Sequence, residues 1–195
     1  MRNTITKSLT TIVLLATSSV ALAHPGHNAS GLAAGLLHPF SGFDHLLAMV
    51  GVGLWAAQSG GRRIWLLPAT FMTMLVVGAA LAMQWQGLTL VEAGIATSVL
   101  ALGLLIALSV RLPVPLSIAV TGAFGVFHGY AHGFELPQSV APVEYALGFL
   151  IATAALHLGG IAVGVVSRQR HTALANIAGM AITASGVILL ANVWL

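Results

Sequence analysis

Long apolar runs separated by short polar breaks dominate this chain. Six runs lie at 33–57, 64–83, 89–110, 114–133, 144–166 and 173–194. Each is close to the ~20 residues that a helix needs to cross a bilayer. The pattern predicts helices, because a membrane barrel would show shorter strands of alternating polarity. The breaks include Gly60-Gly61-Arg62-Arg63, Gln84-Trp85-Gln86-Gly87, Arg111-Leu112-Pro113 and Arg168-Gln169-Arg170. Connections this short make neighbouring helices antiparallel. The expected fold is all-α: a polytopic membrane protein with six transmembrane helices in one domain, 24–195.

One further apolar run, 11–20, is short. It follows Arg2 and Lys7 and ends at Ala21-Leu22-Ala23. A basic start, a short apolar stretch and small residues at the cleavage positions define a secretory signal. Residues 1–23 are therefore expected to be a cleavable signal peptide, leaving His24 as the mature N-terminus.

Composition strengthens the membrane reading. Hydrophobic residues make up 58% of the chain and charged residues 6%, with a mean hydropathy of +0.99. Soluble domains carry about 25% charged residues, so this chain cannot coat a soluble particle. Its basic residues are scattered rather than gathered on a face, which argues against nucleic-acid binding. There are no cysteines, which excludes disulfides, thiolate metal sites and iron–sulfur clusters.

The arginines set an orientation. Arg62, Arg63, Arg111, Arg168 and Arg170 all fall in the connections after the first, third and fifth spans. Basic connections stay cytoplasmic, so both ends of the mature chain are expected in the periplasm, with the spans in the inner membrane. All four acidic residues, Asp44, Glu92, Glu135 and Glu144, then lie on the outer side.

Polar side chains interrupt two apolar stretches. His38, Asp44 and His45 lie in His38-Pro39-Phe40-Ser41-Gly42-Phe43-Asp44-His45, and His128, His132 and Glu135 lie in Phe127-His128-Gly129-Tyr130-Ala131-His132-Gly133-Phe134-Glu135. Ionisable groups at membrane depth are costly, and they commonly mark an ion or proton path. Imidazoles with carboxylates also form the ligand set of borderline divalent metals. On an ideal helix at ~100° per residue, His38 and His45 share a face, and Met49 continues it. Asp44 points aside, as a ligand or as the partner that fixes an imidazole tautomer. Pro39 and Gly42 also suit a helix start or a locally unwound segment. His128, His132 and Glu135 share a face at i, i+4 and i+7. Gly125, Gly129 and Gly133 run beside them as a small-residue seam for close helix approach, with the first span as the expected neighbour.

Other polar residues are weaker candidates, for ion capture or for support behind the ligands. They are His24 and His27 in the tail His24-Pro25-Gly26-His27, Met49, Glu92 and His157. The α-amino group and imidazole of His24 can chelate one metal together. Glu92 and Glu144 equally suit helix starts, where the dipole favours acids, and a lone intramembrane histidine such as His157 equally suits an interhelical hydrogen bond.

These motifs resemble those of the HupE/UreJ family of nickel and cobalt permeases. The resemblance rests on His38 followed by five residues and then Asp44-His45, on the Phe127 to Glu135 stretch quoted above, and on the signal peptide and six-span pattern. It implies a secondary transporter importing Ni²⁺ or Co²⁺, with His38, Asp44, His45, His128, His132 and Glu135 as metal-path residues. Metal is then cargo, and no permanently bound cofactor is expected. The partners are membrane lipid and a divalent metal ion.

The sequence also speaks to mechanism and rivals. No glycine-lysine phosphate loop is present, so the chain does not itself hydrolyse ATP. No His-Glu-x-x-His or Gly-x-Ser-x-Gly run points to an enzyme. Histidines in the first span of each three-span half would fit a 3+3 inverted repeat. The alternative is a membrane protein that binds metal or haem as a sensor, loader or redox subunit without transport.

Overall fold

The computed structural model describes residues 31–85, 88, 90–135, 141–170 and 173–195. Among them every regular element is helical. The helices are α1 (Gly31–Leu37), α2 (Phe43–Ser59), α3 (Arg63–Gln84), α4 (Val91–Ala107), α5 (Val114–Phe134), α6 (Pro142–Gln169) and α7 (Leu174–Trp194), with a 3-10 turn at His38–Phe40. The expected signal peptide, His24 and His27 lie outside the described residues.

Four helices, α3, α5, α6 and α7, are long and apolar enough to cross a membrane. The pair α1 and α2 makes a fifth if its bent halves count as one span. α4 is apolar but has 17 residues. The architecture is that of a polytopic membrane protein. Its outer surface carries large apolar side chains such as Leu147, Ile151, Leu158 and Ile188.

The first apolar run does not form one straight helix. It bends by 81° between α1 and α2. Pro39 has no N–H to donate, and Gly42 is extended at φ −103°, ψ 114°. The Ser41 hydroxyl and backbone N–H both donate to the His38 carbonyl, at 2.6 and 2.9 Å, and close the turn. His38 and His45 therefore do not share one helical face, as ideal geometry predicts. The helix of the third apolar run is also shorter than the run itself. α4 stops at Ala107 because Ser109 adopts φ +52°, and the Val110 N–H returns to the Leu105 carbonyl at 2.8 Å.

The helices pack chiefly in three groups: α3 with α5, α4 with α7, and α6 with both α1 and α2. Glycine seams set these distances. A Cβ at Gly129 would strike the Leu75 carbonyl of α3, and one at Gly125 would come within 2.6 Å of the Phe71 carbonyl. The Gly125, Gly129 and Gly133 seam of α5 thus faces α3, not the first span as the sequence suggested. The opposite arrangement serves the polar residues better. With the glycines against α3, the histidines on the neighbouring face of α5 turn toward α2.

The apolar core is centred on Met49, Val52, Leu54 and Trp55 of α2, Phe71 of α3, and Leu102 and Ile106 of α4. At the end carrying the arginines, side chains satisfy carbonyls near the end of α2 and in the connection between α4 and α5. Arg168 donates to the Ala57 carbonyl at 2.8 Å, Arg63 to the Leu112 carbonyl at 3.2 Å, and Trp55 Nε1 to the Val110 carbonyl at 2.9 Å.

Candidate metal site

The break in the first span and the last two turns of α5 meet, and their histidines form a continuous file. His38 Nε2 lies 2.9 Å from His132 Nδ1 and 3.5 Å from Glu135 Oε2. One ligand atom from each of His38, His132 and Glu135 falls within 4.8 Å of the others, so the three can hold one metal ion. The rings of His45 and His132 are 4.1 Å apart by centroid, and those of His45 and His128 are 4.8 Å apart. The file runs from Glu135, whose side chain is 53% exposed, to the fully buried His128. The His38 imidazole beside Glu135 holds its carboxyl below the usual carboxylate range, against the opposing effect of partial burial.

The two inner rings have fixed tautomers. His45 Nδ1 donates to Asp44 Oδ1 at 2.7 Å, and the same oxygen accepts the His45 backbone N–H at 2.8 Å. A Cβ at Gly42 would sit 2.9 Å from both Asp44 Oδ1 and His45 Nδ1, so glycine makes room for this pair. His45 Nε2 is left with a free lone pair. His128 Nε2 lies 2.7 Å from the Ser98 hydroxyl of α4. That hydroxyl donates to the Ile95 carbonyl at 2.7 Å. With its one hydrogen committed, Ser98 accepts from His128 Nε2–H, and His128 Nδ1 keeps its lone pair. Neither His45 Nε2 nor His128 Nδ1 has a partner, and His132 Nε2 has none either.

All six residues expected from the two motifs come together, though in different roles. Asp44 orients His45 and is absent from the three-residue ligand group. Of the weaker candidates, Glu92 stands apart but lines a cavity of about 230 Å³ with Tyr130 and Glu135 at the mouth of the file. Met49 is buried one turn inward of His45 and accepts from the Thr153 hydroxyl at 3.5 Å. His157 is buried beyond Phe71. Glu144 is exposed in the first turn of α6, as a dipole role requires.

Several neighbours went unseen in the sequence. Ser98 follows Thr97 in an otherwise apolar turn, and only its depth could have marked it. Tyr145 and Phe149 of α6 wall the file, with Phe149 4.2 Å from His132 and Tyr145 5.6 Å from His38 by centroid. Tyr130, inside the second motif, donates to the Trp85 carbonyl at 2.7 Å and accepts the Leu88 N–H at 3.1 Å. It ties the end of α3 to α5 and leaves the metal group alone.

In class, this is a polytopic helical membrane protein with a buried imidazole file and, at its mouth, a His38, His132 and Glu135 group that could hold a metal ion. The sequence profile described as HupE / UreJ protein matches residues 12–189. The chain is 43% identical over 187 residues to Protein HupE of Rhizobium leguminosarum bv. viciae, covering 94% of this chain and 97% of that one. This chain belongs to the HupE/UreJ family. No solved structure matches it.

Proposed function

We propose that this protein is a permease, not an enzyme, that imports Ni²⁺ or Co²⁺ across the inner membrane. The observation that carries this reading is the set of three buried, unpartnered ring nitrogens on His45, His128 and His132, joined to an accessible His38, His132 and Glu135 group. Buried polar atoms are ordinarily satisfied, so a site that leaves three open is built for a visitor. Imidazole nitrogens suit nickel and cobalt, and the carboxylates of Asp44 and Glu135 offset the dication's desolvation cost.

In this account six spans cross the membrane, α1 and α2 forming the first and α4 the third. Removal of 1–23 leaves the His24 and His27 tail at the periplasmic mouth, where it captures the ion. Both ends of the mature chain are periplasmic and the arginine end is cytoplasmic. The ion is cargo, and no cofactor resides in the protein. The membrane potential draws a dication inward with about 4.6 kcal/mol per 100 mV. The packing also suits a 3+3 inverted repeat. Exchanging the two halves maps the pair of second and fourth spans onto the pair of fifth and first, and swaps the third with the sixth, so the principal pairs of the bundle correspond.

The test is accumulation of radioactive nickel in cells that lack their own nickel importers. Cells with the intact protein are expected to accumulate the ion. His38→Ala and His132→Ala variants, at equal membrane levels, are expected to lose about tenfold or more. No accumulation above empty cells for nickel or cobalt, with intact protein in the membrane, would overturn import.

A further inference from the structure

His157 is the buried side chain that neither packing nor the ligand group explains. It is 1% exposed, and neither ring nitrogen has a hydrogen-bond partner. A buried polar group left unpaired costs ~1–3 kcal/mol. A leucine or phenylalanine would fill the same space without that cost. The backbone beside it is closely locked, since a Cβ at Gly53 of α2 would strike the His157 carbonyl.

Its position continues the file inward. Phe71 of α3 touches both ends of the gap, 5.6 Å from His128 and 5.4 Å from His157 by centroid. On α6, Phe149 packs on His132. Thr153 follows one turn further in, and His157 one turn beyond that. On α2, His45 is followed one turn inward by Met49, whose sulfur accepts from Thr153. The polar steps on α2 and α6 thus lead from the outer cluster to His157.

We propose that His157 is an inner station for the metal cation, which reaches it from the cluster of His45, His128 and His132. This rests on the permease reading and deepens it. The station has an imidazole and, one turn away, a thioether and a hydroxyl. It has no carboxylate among the contacts the described residues make with it. It therefore holds a dication more weakly than the outer group does. Conduction needs such a step, tight enough to enter and weak enough to leave.

The test is a Co²⁺ titration of the full-length purified protein in detergent, alongside His157→Leu and His157→Gln. Intact protein is expected to bind in a tighter step and a weaker one. Both variants are expected to keep the tighter step, which also shows that the bundle has folded, and to lose the weaker one. Their flux in proteoliposomes is expected to fall about tenfold. A weaker step unchanged in either folded variant overturns the station, whatever the flux. Loss of that step in a protein whose intact form moves no ion keeps the station and sinks the permease reading instead. If the leucine variant does not fold, the glutamine variant, closer in size and polarity but a far poorer ligand, decides alone.

Discussion

Ser98 decides which nitrogen of His128 faces the file. Its hydroxyl donates to Ile95 and accepts from His128 Nε2, so the lone pair at Nδ1 stays available. Asp44 does the same for His45 from the other side. Partners of this kind commonly change metal affinity by about 10–100-fold when removed. Ser98→Ala strips the acceptor from a fully buried N–H. It is expected to cost ~1–3 kcal/mol of stability, read by thermal unfolding in detergent, and to weaken Co²⁺ binding in titration. Ser98→Thr keeps the hydroxyl and is expected to restore binding more than stability, since its extra methyl enters a packed site. The six motif residues were legible in the sequence because charge at membrane depth is rare and these clustered. Ser98 was not, because a single hydroxyl in a helix bonds its own backbone in many proteins and carries no spacing signal.

At the scale of elements, the site depends on a broken helix and a tight helix pair. The break at Pro39 and Gly42 turns His38 toward α5, where one straight helix would have spread His38 and His45 over two turns. The seam of α5 against α3 fixes the other half. Gly129→Ala places a Cβ on the Leu75 carbonyl, and forced overpacking costs ~1–3 kcal/mol. Gly159→Ala on α6 meets nothing within 4 Å and gains ~0.8–1 kcal/mol of helix propensity. Thermal unfolding of the two variants is therefore expected to move in opposite directions. Helix locations were readable from hydropathy to within a few residues. The partner of the glycine seam was not. Small residues announce a close contact without saying with which helix, and that choice belongs to the whole bundle.

For the whole molecule, asymmetry between the two ends is the organising fact. The arginines gather at one end, where Arg63 and Arg168 also donate to the Leu112 and Ala57 carbonyls of neighbouring segments. The acids and the mouth of the histidine file gather at the other. The same arginines that set the expected orientation in the sequence hold their end of the bundle together in the structure. Between the ends, the polar path narrows from an exposed carboxylate to a closed core of Trp55, Leu54 and Ile106. The structure thus has an accessible mouth at the acidic end and a packed half at the arginine end. The central claim is that the ion sits on the imidazoles of this file. X-ray absorption at the nickel edge, on purified protein carrying one equivalent of Ni²⁺, tests it most directly. The account predicts imidazole scattering from more than one histidine, reduced in the His132→Ala variant. A shell of oxygen ligands alone, unchanged by His132→Ala, would contradict it.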